Sequence, residues 1–372
     1  MAETEIQEPD CIAGAPHPRE TQVLFGQSHA ESAFVSAFNT GRLHHAWLLT
    51  GPRGTGKATL AWQIARFLLA NPDVADDDMF GAPQAPTSLN VPEDHPISRR
   101  IAAGSEAGLM SVKRTVNDKG RLREQIVVDD IRKLSGFFQL SAAEGGRRVV
   151  IIDAADEMNV NAANALLKML EEPPERATLL LISHQPSRLL PTIRSRCRTL
   201  RLSALGPDDM AQALSQADID VGENAEALSV LADGSVGTAI RLIEQEGLAL
   251  YSELVMLLST LPRLDRVRAL SLAERMGARG ASKQLDLLYT LLEIALARLA
   301  RTGASGHPPQ PEASPGEAET FARLSPHLNA AQAWADVSYS ALARARHGRA
   351  VNLDPGALVL DTLFKLQETA SA

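Results

Sequence analysis

Residues 51–58 read Gly51-Pro52-Arg53-Gly54-Thr55-Gly56-Lys57-Ala58, a phosphate-binding loop in every position but the last. In the complete pattern, G-x-x-x-x-G-K-[ST], the glycines let backbone N–H groups wrap the phosphates and the lysine neutralises the outer ones. The Ser or Thr hydroxyl then ligates a magnesium ion. Ala58 keeps the cradle and loses the metal ligand. Thr59 is a candidate replacement, although one step along a helix turns a side chain by about 100° away from the site. The loop also has the right context. His45-Ala46-Trp47-Leu48-Leu49-Thr50 reads as a short strand, and residues 58–70 read as a helix with an apolar face.

Working outward, the clearest buried strand is Arg148-Val149-Val150-Ile151-Ile152-Asp153, a β-branched run that ends in a carboxylate. A central parallel strand ends this way where its C-terminal edge opens on a ligand crevice. Asp153 is therefore a candidate for orienting a metal ion, with capping of the strand end as the plainer alternative. Asn161 begins a helix that must stop at Pro173-Pro174. Thr178-Leu179-Leu180-Leu181-Ile182-Ser183 is a second buried strand and Thr199-Leu200-Arg201-Leu202 a final one. Short strands are expected around residues 108–112 and 124–128, and a helix capped by Asp129 or Asp130 buries Ile131, Leu134 and Phe138. A helix over residues 29–40 precedes the first strand. Strands alternating with helices define a doubly wound parallel α/β domain.

The expected organisation is α/β plus all-α. Residues 1–20 form a flexible lead-in, with order beginning near Val23. The α/β domain covers 21–203 and carries an insertion at 71–125, whose Pro/Asp-rich part (71–96) reads as exposed rather than core. A small helical lid spans 204–246, and helices alone follow over 247–372, interrupted by a Pro/Gly/Ser-rich loop at 303–316.

Bulk properties narrow the classes. The chain has 372 residues, 45% hydrophobic and 4% aromatic, with 45 acidic against 37 basic side chains and a formal net charge of −8. That balance argues against a protein that coats nucleic acid over its whole surface. No apolar run approaches the roughly 18 residues needed to cross a bilayer. Glu3, Glu5 and Glu8 precede any basic residue, so a secretory signal is not expected and a cytoplasmic location is. The two cysteines, Cys11 and Cys197, cannot form a four-cysteine metal site. Cys197 reads as a small apolar residue. His44 and His45, entering a strand, should face opposite sides and not share a metal. Asp156 and Glu157 read as a solvated turn, with displaced catalytic carboxylates as the alternative. Arg188, Arg194, Arg196, Arg198 and Arg201 lie within fourteen residues and suit an anionic surface. Arg344, Arg346, His347 and Arg349 make the last helical stretch locally basic.

The pairing of the 51–57 loop with the 149–153 strand, followed by Leu189-Leu190-Pro191-Thr192-Ile193-Arg194-Ser195-Arg196-Cys197, resembles the clamp-loader branch of the AAA+ ATPases. Ser195-Arg196-Cys197 is the most telling piece. Glu171-Glu172-Pro173-Pro174 and Gly145-Gly146-Arg147-Arg148 are similar to that family too. The resemblance implies an AAA+ P-loop domain, a helical lid and a C-terminal helical collar. It also implies that Arg196 points at ATP held by a neighbouring subunit.

Departures from the motor pattern go further. Ala154 stands where active relatives carry the glutamate that activates water, and Gly237 stands where a G-S-x-R-x-A pattern supplies an arginine to the phosphates. The family's four-cysteine zinc module has no counterpart, because residues 71–130 contain no cysteine. The resemblance thus implies a largely non-hydrolysing subunit, with at most weak ATP or ADP binding at residues 51–59, no required cofactor and no zinc. Implied partners are the motor (tau/gamma) and delta subunits of a replicative polymerase's clamp loader, with sliding clamp and primed DNA met through the hetero-oligomer. Two alternatives stay open: an active ATPase using Thr59 or Glu157, and a DNA-binding adaptor using the basic stretches 99–123 and 188–201.

Overall fold

The computed structural model describes residues 11, 14–71, 85–117, 120–140 and 146–371. It divides into two compact units, residues 1–219 with 234–237, and residues 220–233 with 238–372.

The first unit is built on five parallel strands: β1 (Ala46–Thr50), β2 (Leu109–Lys113), β3 (Arg148–Asp153), β4 (Ala177–Ser183) and β5 (Arg198–Arg201). Their order across the sheet is β2-β3-β4-β1-β5. In register, Trp47 lies beside Leu180 and Arg198, and Ile151 beside Leu180 and Ser111. Alternate side chains feed opposite faces, as the strand period of two requires. Trp47, Leu49, Val149, Ile151, Leu180 and Ile182 join one core with α1 (Ser28–Asn39) and α2 (Lys57–Ala70). Leu48, Val150, Ile152, Leu179 and Leu181 join the other with α4 (Val128–Leu140) and α5 (Val160–Glu171). Both faces are covered, so the central strands read as unbroken apolar runs. Helix α3 (Pro96–Ala102) precedes β2, the short α6 (Pro191–Arg194) precedes β5, and α7 (Pro207–Gln216) follows it.

Three expectations change here. Residues 124–128 do not form a strand: Ile126 makes a single bridge to Met158, and Val128 already opens α4. The β-branched Ile126-Val127-Val128 invites a strand, but the Asp130 carboxylate accepts the Val127 N–H at 3.4 Å and starts the helix instead. In the Pro/Asp-rich stretch, residues 72–84 lie outside the described residues, whereas Leu89 and Val91 are buried in the α1–α2 core rather than exposed. The lead-in is fixed before Val23. His17 packs edge-on to Trp62 at 5.8 Å, and the buried Arg66 guanidinium donates to the Arg19 carbonyl at 2.7 Å. Residues 1–10, with Glu3, Glu5 and Glu8, lie outside the described residues.

The second unit is helical: α8 (Ala225–Ala232), α9 (Val236–Glu244, from Thr238 onward), α10 (Gly247–Ser259), α11 (Arg266–Gly277), α12 (Ser282–Ser305), α13 (Glu317–Leu324), α14 (Leu328–Ala350) and α15 (Pro355–Ser371). The helices expected as a lid are thus shared out, α7 with the first unit and α8 with the second. Within the second unit α12 packs along α14 and α11 along α15. Leu285, Leu288, Leu292, Leu296 and Leu299 line the buried side of α12 at helical spacing. The loop after α12 is tied down by a fully buried carboxylate. Glu317 accepts from Tyr251 Oη at 2.5 Å, Arg298 Nε at 2.7 Å and the Ala313 N–H at 2.6 Å. Arg344, Arg346 and Arg349 pair with Asp361, Glu293 and Asp286, so the basic look of α14 is locally neutralised.

Candidate functional site

The phosphate loop joins β1 to α2 at the C-terminal edge of the sheet, between the ends of β4 and β5. Gly51, Gly54 and Gly56 take φ values of +144°, +77° and +92°. A Cβ at Gly54 would meet Ser235 Oγ at 2.3 Å, and one at Gly56 would meet Leu24 Cδ1 at 2.4 Å. The turn therefore needs glycine for backbone conformation and for close packing alike. Buried Gln27 clamps it from behind, donating to the carbonyls of Thr55 (3.3 Å) and Ser203 (2.9 Å). Thr55 Oγ1 donates to the Pro52 carbonyl at 3.0 Å.

Lys57 is turned inward. Its side chain is buried, and Nζ donates to the loop's own carbonyls at Gly51 (2.9 Å) and Pro52 (2.5 Å). Burial pulls its pKa down to about 8, against the opposing pull of Asp153 and Asp156. Asp153 ends β3, and buried Ala154 follows it, at the position the resemblance assigns to a water-activating glutamate. The Gly237 N–H donates to the Gly54 carbonyl at 3.2 Å. The position resembling the arginine supplier thus reaches the loop as backbone only. The cradle's backbone suits phosphate, but neither the hydroxyl at 58 nor a carboxylate at 154 is there to manage metal and water.

Sequence reasoning missed the groups that surround this loop. Asp156 is buried, not solvated: its carboxylate accepts the backbone N–H groups of His184 (3.1 Å) and Gln185 (3.0 Å) and fixes the chain just beyond β4. Glu157 bridges Arg53 of the loop (3.3 Å) and Arg114 beyond β2 (2.7 Å). That occupies the carboxylate proposed as a substitute base. His184 sits nearby, with its pKa pushed down to about 4, first by burial and then by Lys57 and Arg53. It is neutral at physiological pH. No local pattern announces these contacts, because each joins strand ends far apart in sequence.

Arg196 lies in the turn between α6 and the edge strand β5. Its side chain is 37% exposed. Nη1 donates to the Thr192 carbonyl at 3.0 Å, and Nη2 pairs with Glu171 Oε1 at 2.9 Å. Leu189 and Ile193 anchor the turn in the α4–α5 core, with Cys197 packed against it. Burial pushes the Cys197 thiol up to about 12, which leaves it protonated and inert. Arg198 stacks over Trp47, 5.0 Å from the ring centroid, so the five arginines are not one free patch. The two histidines depart from expectation. Both precede β1, so strand alternation does not govern them, and their rings stack 4.4 Å apart. Each has a backbone partner, His44 at Ala46 and His45 at Leu170. No cluster of three metal-ligating side chains occurs, and no helix is long and apolar enough to cross a membrane, among the described residues.

Comparison with known proteins follows the same lines. Residues 26–206 match the family described as DNA polymerase III, delta subunit. The chain is 41% identical to DNA polymerase III subunit delta' of Pseudomonas aeruginosa over 199 residues, 53% of this chain and 55% of that one. It is 29% identical to DNA polymerase III subunit tau of Escherichia coli over 281 residues, 73% of this chain and 40% of that one. The chain spans about half the length of these relatives. Among solved structures, a gamma subunit-related protein of Thermotoga maritima aligns over 91% of this chain and 99% of its own, at 18% identity and a TM-score of 0.41. Over residues 26–206 the chain is thus similar to DNA polymerase III subunits of the delta and delta' kind.

Proposed function

We propose that the chain is a delta-prime-like subunit of the DNA polymerase III clamp loader. In this reading it is a largely non-hydrolysing AAA+ platform whose Arg196 completes the ATP site of a neighbouring tau/gamma-type motor subunit while the sliding clamp is loaded onto primed DNA. The reading is supported by the state of the chain's own loop, where Lys57 is spent on the carbonyls of Gly51 and Pro52. Phosphoryl transfer is catalysed almost wholly by positioning and charge stabilisation. A loop without the metal hydroxyl, the water-activating carboxylate and the phosphate-binding arginine has lost most of that mechanism.

An arginine acting in trans needs none of these groups. A finger of this kind contributes about 10³–10⁵ in rate to the site it enters, without its owner cleaving anything. Arginine suits the role because its planar fork stays charged and can hold two phosphate oxygens at once. The role requires no nucleotide in the chain's own loop and no zinc, and it places the protein in the cytoplasm with its partners. The test is ATP turnover by the motor subunits with primed DNA and clamp, supplemented with this chain or with its Arg196→Ala variant. Strong stimulation that the variant loses is the expected result; equal stimulation by both removes the finger role.

A further inference from the structure

The tract Glu171-Glu172-Pro173-Pro174 has no part in the function so far, yet Glu171 is the residue that meets Arg196. Glu171 is the last residue of α5, and the prolines two and three positions later end the helix there. A carboxylate in the last turn of a helix faces the helix's negative end, an unfavourable place unless a cation answers it. Arg196 is that cation, at 2.9 Å.

Most exposed ion pairs hold two loose side chains together and gain little. This one joins two anchored ends. Leu166 and Leu170 on α5 share a core with Leu189 and Ile193 beside the finger turn. The guanidinium has a second tether at the Thr192 carbonyl, 3.0 Å away. Two of its five N–H donors are thereby used, and the plane of the fork is set by two fixed acceptors. Phosphate oxygens of a neighbouring ATP would meet an arginine already oriented, with less rotamer freedom to lose on engagement.

We infer that Glu171 is a positioning residue for Arg196, holding its guanidinium plane for an ATP bound by the adjacent subunit. This rests on the trans-finger reading of Arg196. The carboxylate touches no nucleotide and acts only through the arginine. Glu171→Gln keeps the size of the side chain and removes its charge, at a half-exposed helix end where folding is not at stake.

The experiment measures kcat and KM for ATP of the motor subunits, with primed DNA and clamp, in loaders carrying wild-type chain, Glu171→Gln, Glu171→Asp, Arg196→Ala and the Glu171→Gln/Arg196→Ala double variant. Glu171→Gln is expected to lower kcat about fivefold, the scale of one well-placed ion pair. KM should stay within about twofold, because ATP is bound by the partner's own loop. Glu171→Asp should recover part of the loss, and Glu171→Gln should change nothing further once Arg196 is Ala. Unchanged or faster turnover with Glu171→Gln, or an equal loss in the Arg196→Ala background, overturns the inference while leaving the finger intact. If Arg196→Ala itself turns over like wild type, the finger reading fails and the positioning role fails with it.

Discussion

Lys57, just beyond the C-terminal end of β1, and Arg196, just before the N-terminal end of β5, are both cations, and they have opposite fates. Lys57 is buried, with a pKa drawn down to about 8, and its ammonium is satisfied by two carbonyls of its own loop. Arg196 is more than one-third exposed and is steadied by one carbonyl and one carboxylate. In the proposed reading, a phosphate loop complete but for its last position serves as scaffold. The Ser195-Arg196-Cys197 turn presents, in the same reading, the group that acts on a phosphate.

The largest effect that would sharpen this contrast concerns Arg196. Replacing it by Ala should cut the partner motor's stimulated turnover by at least about a hundredfold, and Lys at the same position should recover less than tenfold. A point charge replaces the charge but not the two-pronged geometry. Full rescue by Lys would mean that charge alone matters.

Lys57 offers the next test, read as stability rather than rate. Its pKa is lower in the folded protein than in the unfolded chain, about 8 against 10.5. The unfolded state therefore binds more protons between those values, and stability rises with pH across that window. The burial penalty is fully present below about pH 8 and relieved by about pH 10.5, a span of up to about 3 kcal/mol. Urea unfolding of wild type and Lys57→Met from pH 7.5 to 10.5 should show a rising difference between them. Parallel curves would mean that the ammonium is not buried as described.

Gly54→Ala should act as a packing lesion. Its φ of +77° and the 2.3 Å approach to Ser235 Oγ predict a loss of about 1–3 kcal/mol in unfolding free energy. Motor stimulation by the remaining folded protein should stay near wild type. Loss of stimulation with stability intact would return the loop to an active role. The smallest effect is expected for Lys57→Ala on motor turnover, within about twofold.

Much of the first unit was legible because its signals are local. The β-branched run at β3, the glycine spacing of the loop and the stop at Pro173-Pro174 each follow from a few adjacent residues. What escaped notice depends on residues distant in sequence. Asp156 reads as a surface acid until β4 brings the His184 and Gln185 amides onto it. Leu89 and Val91 sit in a proline-rich stretch and are nonetheless core. Ile126-Val127-Val128 carried strand propensity, and the Asp130 side chain overrode it. Glu171 stood in view as part of a family-like tract, but only the fold shows that α5 ends against the Arg196 turn.

The central claim is that Arg196 works and Lys57 does not. Clamp loading onto primed DNA by one reconstituted loader, carrying in turn wild-type chain, Lys57→Ala and Arg196→Ala, tests it most directly. The account predicts loading within about twofold of wild type for Lys57→Ala and a collapse for Arg196→Ala. Equal losses from the two substitutions would contradict it.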